Sequence, residues 1–159
     1  MVALIAFAVV VRPSAQLLPL GTVAPPVTLV STTGQTINAL LAATHHNLVI
    51  DFLDTQCDTC RSQAPQLCAV SLQHSSDVFI AVDAGGEGGG ALRAYAQSNF
   101  SSSCRVTVLA DPDRTVSRAY RAAVVPTVYV VASGGEIAYA AVGSDGVNGL
   151  SATLQRLGG

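Results

Sequence analysis

Cys57 and Cys60 are the residues whose types and spacing most clearly predict chemistry in this sequence. They form a Cys-x-x-Cys pair between an apolar run, Leu48 to Leu53, and a segment with helical periodicity. A cysteine just ahead of a helix lies beside free backbone N–H groups and the positive end of the helix dipole, and these stabilise a thiolate. Because the thiolate is the nucleophile in disulfide exchange, we predict that Cys57 attacks and that Cys60 resolves the mixed disulfide.

Two other uses of this cysteine pair stay open at the level of sequence, a static disulfide and a zinc site. A zinc site would need a second pair of ligands at short spacing. The other two cysteines, Cys68 and Cys104, are far apart in the sequence. We therefore expect no metal and no cofactor. Cys68 and Cys104 could pair with each other, stay buried as thiols or relay electrons.

Two acidic residues flank the pair and suggest how it is tuned. Asp51 lies inside the apolar run, where poor hydration disfavours the charged carboxylate and should raise its pKa. Such a group could accept the proton of Cys60 during resolution, although it could equally be a hydrogen-bonded strand residue. Asp58 places a negative charge beside the Cys57 thiolate, which favours a reductant over a strong oxidant. It could also be a solvated acid at the start of a helix.

The elements that must position these residues alternate along the chain. The pattern predicts strands at 27–30, 48–53, 77–82, 106–110, 127–132 and 136–142, and helical segments at 36–43, 57–73, 92–100, 114–122 and 147–157. The glycine-rich stretch 84–91 is interpreted as a flexible loop, because a phosphate-binding loop would need a lysine after the glycines. Strands alternating with helices, followed by a hairpin, predict an α/β domain with a mixed sheet.

Composition limits the class of protein. The chain has 159 residues, the length of one domain, and 50% of them are hydrophobic, so it can bury a sizeable core. Every basic side chain is arginine, and the net charge is −2. Without a basic cluster, nucleic acid is not an expected partner.

The first residues are treated apart from the domain, which we place at 17–159. Val2 to Val11 is an apolar run closed by Arg12 and Pro13. It is too short to span a bilayer, which takes about 20 residues. Residues 1–16 could be a degenerate signal peptide, the remnant of a membrane anchor, or a first strand. The first two would place the domain outside the cytoplasm.

The segment around the cysteines resembles the active-site segment of thioredoxins. In that family a buried Asp precedes the first Cys by six residues, as Asp51 does, and a helix-kinking Pro follows the second Cys by five, as Pro65 does. A cis-proline follows a Val, Ile or Thr before the final hairpin, and Val125-Pro126 stands in that place. The resemblance implies a thioredoxin-like three-layer α/β/α fold with Gln56, Val125 and Pro126 in contact with substrate.

Within that superfamily the chain is most similar to the TlpA/ResA-like branch. The segments that carry this similarity are 21–34, 82–83, 110–113 and 125–130. The branch implies a bacterial, periplasmic or membrane-tethered monomer that reduces disulfides of partner proteins and is itself recharged by an upstream dithiol donor.

The sequence departs from the family pattern next to the cysteines. Gln56 replaces the usual Trp, Asp58-Thr59 replaces Gly-Pro or Pro-Pro, and no Lys is available to pair with Asp51. Two alternatives are a peroxiredoxin-like peroxidase and a non-catalytic binding module. A peroxiredoxin would carry Pro-x-x-x-Thr-x-x-Cys, but Asp54 occupies the threonine position before Cys57.

Overall fold

The computed structural model describes residues 16–158, which form one mixed seven-stranded sheet with helices on both faces. The strands are β1 (Thr28–Ser31), β2 (Thr36–Asn38), β3 (Leu48–Leu53), β4 (Val78–Asp83), β5 (Val106–Ala110), β6 (Thr127–Val131) and β7 (Ile137–Val142). The helices are α1 (Ala39–Ala42), α2 (Asp58–Gln73), α3 (Gly89–Asn99), α4 (Thr115–Ala119) and α5 (Leu150–Leu157). Apart from Gln16, the separate segment 1–16 lies outside the described residues.

The strand order is β2-β1-β5-β4-β3-β6-β7. Strands β3, β4 and β5 are parallel to one another, whereas β1 pairs with β5, and β6 with β3, in antiparallel fashion. The central strand β3 is buried along its whole length, as expected for a strand covered by helices on both faces. The carboxyl ends of β3 and β4 lie at one edge of the sheet, and the cysteine pair follows β3 at this edge.

Alternate side chains of β3 pack into different layers of the core. Ile50 and Phe52 belong to a cluster with residues of α1 and α4. Val49 packs with α2 and α5, and Leu53 packs with α2 and α3. Because side chains alternate along a strand, Asp51 points to the α2 side, together with Val49 and Leu53. The predicted α/β/α layering with a mixed sheet is confirmed.

Several predicted elements differ from the observed ones. The predicted helical segment at 36–43 is wrong in its first half, because Thr36–Asn38 forms the edge strand β2 and Asn38, not Thr36, caps the short α1. Helix α3 begins at Gly89, earlier than predicted. Helix α4 is shorter than predicted because Arg114 and Arg121 on either side of it adopt left-handed backbone angles, with φ of 53° and 55°.

Candidate active site

Cys57 lies at the junction of β3 and α2 as its N-cap residue. Its sulfur accepts a hydrogen bond of 3.0 Å from the backbone N–H of Cys60. The two cysteines form a disulfide with their Cα atoms 5.2 Å apart. Cys57 is partly exposed, whereas Cys60 is 1% exposed. An incoming sulfur can therefore reach Cys57 but not Cys60, which is the asymmetry that separates an attacking from a resolving cysteine.

The exposed side of the pair carries an ion pair that sequence analysis did not identify. Asp58, at the start of α2, is paired with Arg61 one turn later. Arg61 also donates a hydrogen bond of 2.6 Å to the carbonyl of Thr55. The negative charge of Asp58 thus has a neighbouring cation, and Arg61 ties the first turn of α2 to the turn that precedes Cys57. The side chain of Asp58 is 92% exposed, so solvent screens its charge.

Asp51 is buried, at 1% exposed, and its only hydrogen-bond partner among the described side chains is Gln63 on α2. The Gln63 Nε2 group donates to Oδ1 at 2.9 Å. Burial raises the pKa of Asp51 to about 8, and the hydrogen bond from Gln63 acts in the opposite, lowering direction. The predicted rise and its cause, desolvation, agree with the structure. A buried amide thus partners the carboxylate, and no cation among residues 16–158 is hydrogen-bonded to it.

Tyr95 of α3 completes the buried surroundings of the pair. It packs in the cluster that contains Cys60 and Leu53. Burial first, and then the charge of Asp51, raise the pKa of Tyr95 to about 12. The Tyr95 hydroxyl and the Gln63 Oε1 atom are buried without a hydrogen-bond partner among the described residues. Gln63 could have been found in the sequence, because it follows Cys60 by one turn on a helix face that is otherwise apolar, whereas Tyr95 gave no signal.

The predicted substrate edge lies on the loop before β6. The Val125–Pro126 peptide bond is cis. Val125 is partly exposed and packs against the same cluster as Cys57, while Pro126 is buried. Gln56 is exposed, and its backbone N–H donates to the Asp54 carboxylate at 2.7 Å. The structure therefore places Val125 close to Cys57 and leaves the side chain of Gln56 in solvent.

Cys68 and Cys104 form a second disulfide, with Cα atoms 5.1 Å apart. It connects α2 to the segment between α3 and β5. Of the three possibilities that the sequence left open, the structure shows pairing. Among residues 16–158, no cluster of histidine, cysteine and acidic side chains is arranged to hold a metal ion.

The AhpC/TSA family matches residues 20–140, which include both cysteines of the active pair and the loop before β6. The chain belongs to the AhpC/TSA family. A search of curated proteins found no match for this family member.

Solved structures similar to this AhpC/TSA family member share its fold. A thiol:disulfide interchange protein DsbE from Chlorobium tepidum is 22% identical, with a TM-score of 0.78 over 89% of this chain and 99% of that one. A secreted disulfide oxidoreductase from Mycobacterium tuberculosis, homologous to Escherichia coli DsbE, is 18% identical, with a TM-score of 0.67 over 82% and 96%. The pneumococcal exposed lipoprotein thioredoxin from Streptococcus pneumoniae is also 18% identical, with a TM-score of 0.70 over 84% and 100%. The fold is therefore thioredoxin-like.

Proposed function

We propose that the protein is a thiol–disulfide oxidoreductase that reduces disulfides of extracytoplasmic partner proteins. The observation that carries the proposal is the pair itself, an accessible Cys57 at a helix N-terminus joined to a buried Cys60. The similar proteins named above as thiol:disulfide interchange protein and disulfide oxidoreductase support the same activity.

The reaction proceeds in two exchanges that start from the reduced pair. The Cys57 thiolate attacks one sulfur of the substrate disulfide, forms a mixed disulfide and releases the first substrate thiolate. The Cys60 sulfur then attacks Cys57, gives its proton to a base and releases the second substrate thiolate. The product is the Cys57–Cys60 disulfide, and the two electrons have passed to the substrate. An upstream dithiol donor must restore the reduced pair.

Asp51 is the base that we propose for the second exchange. It lies on the sheet face that packs against α2 and accepts a hydrogen bond from Gln63, which follows Cys60 by one turn on that helix. Burial raises the pKa of Asp51 to about 8, close to the ordinary pKa of a cysteine thiol. Gln56 and the partly exposed Val125 form the surface against which an extended substrate segment lies, and the buried Pro126 follows Val125 in the same loop. The packing of Val125 against the cluster that includes Cys57 and the exposure of Gln56 support this assignment.

The order of attack is tested by trapping. The Cys60→Ser variant should accumulate mixed disulfides through Cys57, because resolution has been removed, and the Cys57→Ser variant should accumulate none. The measurement is a non-reducing gel of each variant, purified from cells under acid quench. Accumulation in Cys57→Ser alone would assign the attack to Cys60 and contradict the proposal.

The reduction potential of the Cys57–Cys60 pair tests the direction of electron flow. We expect a value nearer the roughly −270 mV of thioredoxin than the roughly −120 mV of DsbA. Equilibration with glutathione buffers would measure it, and a value above about −180 mV would contradict the reductase assignment. Insulin reduction with dithiothreitol, compared with peroxide consumption, separates this function from that of a peroxidase or of a non-catalytic module.

The extracytoplasmic location rests on three observations. Similar proteins are described as secreted and as an exposed lipoprotein. The disulfide between Cys68 and Cys104 is of the kind that persists in oxidising compartments. Residues 1–16 begin with an apolar run, which we assign to a signal or anchor that precedes the domain at 17–159. Across residues 16–158, no helix is long and apolar enough to cross a membrane. Fusing residues 1–16 to alkaline phosphatase would test export.

A further inference from the structure

A cavity lined by arginines lies beside the active-site edge of the sheet. It has a volume of about 410 Å³ and is lined by Arg114, Arg118 and Arg121 together with small residues. Three of the eight basic residues in the chain therefore face one cavity, in a protein whose net charge is −2. Among the residues that the structure describes, no acidic side chain lines it.

These arginines have no ion-pair partner within the part of the chain that the structure describes, where the single salt bridge is the one between Asp58 and Arg61. Arg118 lies on α4, and Arg121 follows the end of this helix. Neither donates a side-chain hydrogen bond to another described residue, so both guanidinium groups are available. A guanidinium group is a planar fork of donors that matches a carboxylate.

The cavity is connected to the cysteine pair through Arg114 and Gly85. The Arg114 Nε group donates to the Gly85 carbonyl at 3.1 Å. Gly85 approaches the Asp54 carboxylate so closely that a Cβ atom there would lie 2.8 Å from Oδ2. The Asp54 carbonyl in turn accepts the backbone N–H of Cys57 at 3.1 Å. These contacts connect one wall of the cavity to the turn that holds Cys57.

The remaining walls lie at the same edge. Ala84 follows β4, and its N–H donates to the Leu53 carbonyl at the end of β3 at 2.7 Å. Ala122 and Ala123 immediately precede the loop of Val125 and Pro126. The cavity therefore lies between the end of β4 and the residues that precede the loop of Val125 and Pro126.

From these contacts we propose that the arginine-lined cavity binds carboxylate side chains of the substrate protein, so that the enzyme prefers disulfides flanked by acidic residues. The proposal rests on the function proposed above and adds the class of substrate. Opposite charges raise the rate of encounter and fix orientation, and both effects weaken with salt.

The test compares two peptides that are each closed by one disulfide and differ only in flanking glutamates or glutamines. Reduced enzyme is mixed with each peptide, and the rate of oxidation of the Cys57–Cys60 pair is followed by acid quench, alkylation and mass spectrometry. We expect the wild type to react on the order of tenfold faster with the glutamate peptide at low salt. This preference should largely disappear at about 0.5 M salt, where charges are screened within a few ångströms.

The variant Arg118→Gln/Arg121→Gln should lose the preference and keep its rate with the glutamine peptide. Glutamine is tolerated at 121 as well as arginine is, because both have a Cβ at the left-handed φ of 55°. The matched control is Arg93→Gln/Arg156→Gln, which removes the same charge away from the cavity and should keep the preference. The variant Arg118→Lys/Arg121→Lys keeps the charge and should retain most of the preference for the glutamate peptide.

Equal rates with the two peptides in the wild type, or equal loss of preference in both glutamine variants, would overturn the proposal and leave the oxidoreductase function intact. If the wild type were oxidised by neither peptide nor by insulin, the proposed function itself would fail.

Discussion

At the scale of single residues, the pairing of Asp51 with Gln63 governs the carboxyl group that we propose as the base for Cys60. A buried carboxylate with a cation beside it would stay ionised at neutral pH, but an amide supplies only a hydrogen bond. Desolvation therefore dominates, and the pKa of Asp51 rises to about 8. At neutral pH most Asp51 carboxyl groups carry a proton, and the fraction able to accept one from Cys60 grows as the pH approaches 8.

The variant Asp51→Asn tests this role. We expect the resolving exchange to slow by at least about tenfold near pH 8, since positioned general bases contribute roughly 10²-fold or more. The first attack by Cys57 should change little. Quenched-flow measurement of both exchanges between pH 6 and 9 checks the prediction, with Asp58→Asn, at an exposed position, as the control. Equal resolution rates in Asp51→Asn and wild type would reduce Asp51 to a hydrogen-bonded strand residue.

The variant Gln63→Leu tests the effect of Gln63 on the pKa of Asp51. The substitution removes the hydrogen bond that lowers the pKa of Asp51, so this pKa should rise further, and the pH at which resolution accelerates should rise with it. The loss of a buried hydrogen bond should also lower the free energy of unfolding by about 1–3 kcal/mol. Gln66→Leu, on the exposed face of the same helix, is the control. A pH profile of resolution that is identical in Gln63→Leu and wild type would contradict the assignment.

At the scale of elements, α2 connects both disulfides and the buried acid. It carries Cys57 as its cap, Cys60 and Gln63 on its buried face, and Cys68 about two turns after Cys60. The sequence was sufficient to predict this helix and β3, because apolar spacing and an abrupt change of period mark both. It did not predict β2, because a three-residue edge strand has too few side chains to show a period. It also could not show that left-handed backbone angles at Arg114 and Arg121 would confine α4 to Thr115–Ala119.

Removal of the second disulfide tests how strongly it supports α2. The Cys68–Cys104 bond closes a separation of 36 residues, for which the loss of unfolded-chain entropy is worth about 4 kcal/mol. Cys68→Ala/Cys104→Ala should lower the free energy of unfolding by up to that amount, as measured by urea melts without reductant, while insulin reduction persists. Cys57→Ser/Cys60→Ser, which opens a loop with a separation of only three residues, should lose less. The reverse ranking would show that the bond at Cys68 contributes little.

At the scale of the whole molecule, the fold class and the cysteine pair could be predicted because they depend on local signals. The order of the sheet could not be predicted from the residues alone, since β1 lies beside β5 through pairing between distant parts of the chain. The same holds for the cavity of Arg114, Arg118 and Arg121. In the sequence these arginines appear as isolated charges on a solvated segment, and only the position of α4 beside the loop of Val125 and Pro126 brings them to the active-site edge.

The raised pKa of Asp51 also links global stability to pH. Its carboxyl group keeps a proton up to about pH 8 in the folded protein, whereas in the unfolded chain it loses the proton near pH 4. Between these values the folded state binds more protons, so the free energy of unfolding falls as pH rises, by at most about 1.4 kcal/mol per pH unit from this group.

Asparagine at position 51 carries no such proton. The free energy of unfolding of Asp51→Asn should therefore equal that of the wild type at about pH 4. The variant should become the more stable of the two by an amount that grows up to about pH 8 and stays constant above it. Urea melts of both proteins across this range measure the difference, in which the contributions of all other groups cancel. Asp58→Asn, at an exposed position, should show no comparable growth. A difference for Asp51→Asn that stays constant with pH would mean that this carboxyl group is already ionised in the folded protein, and that the hydrogen bond from Gln63 outweighs its desolvation.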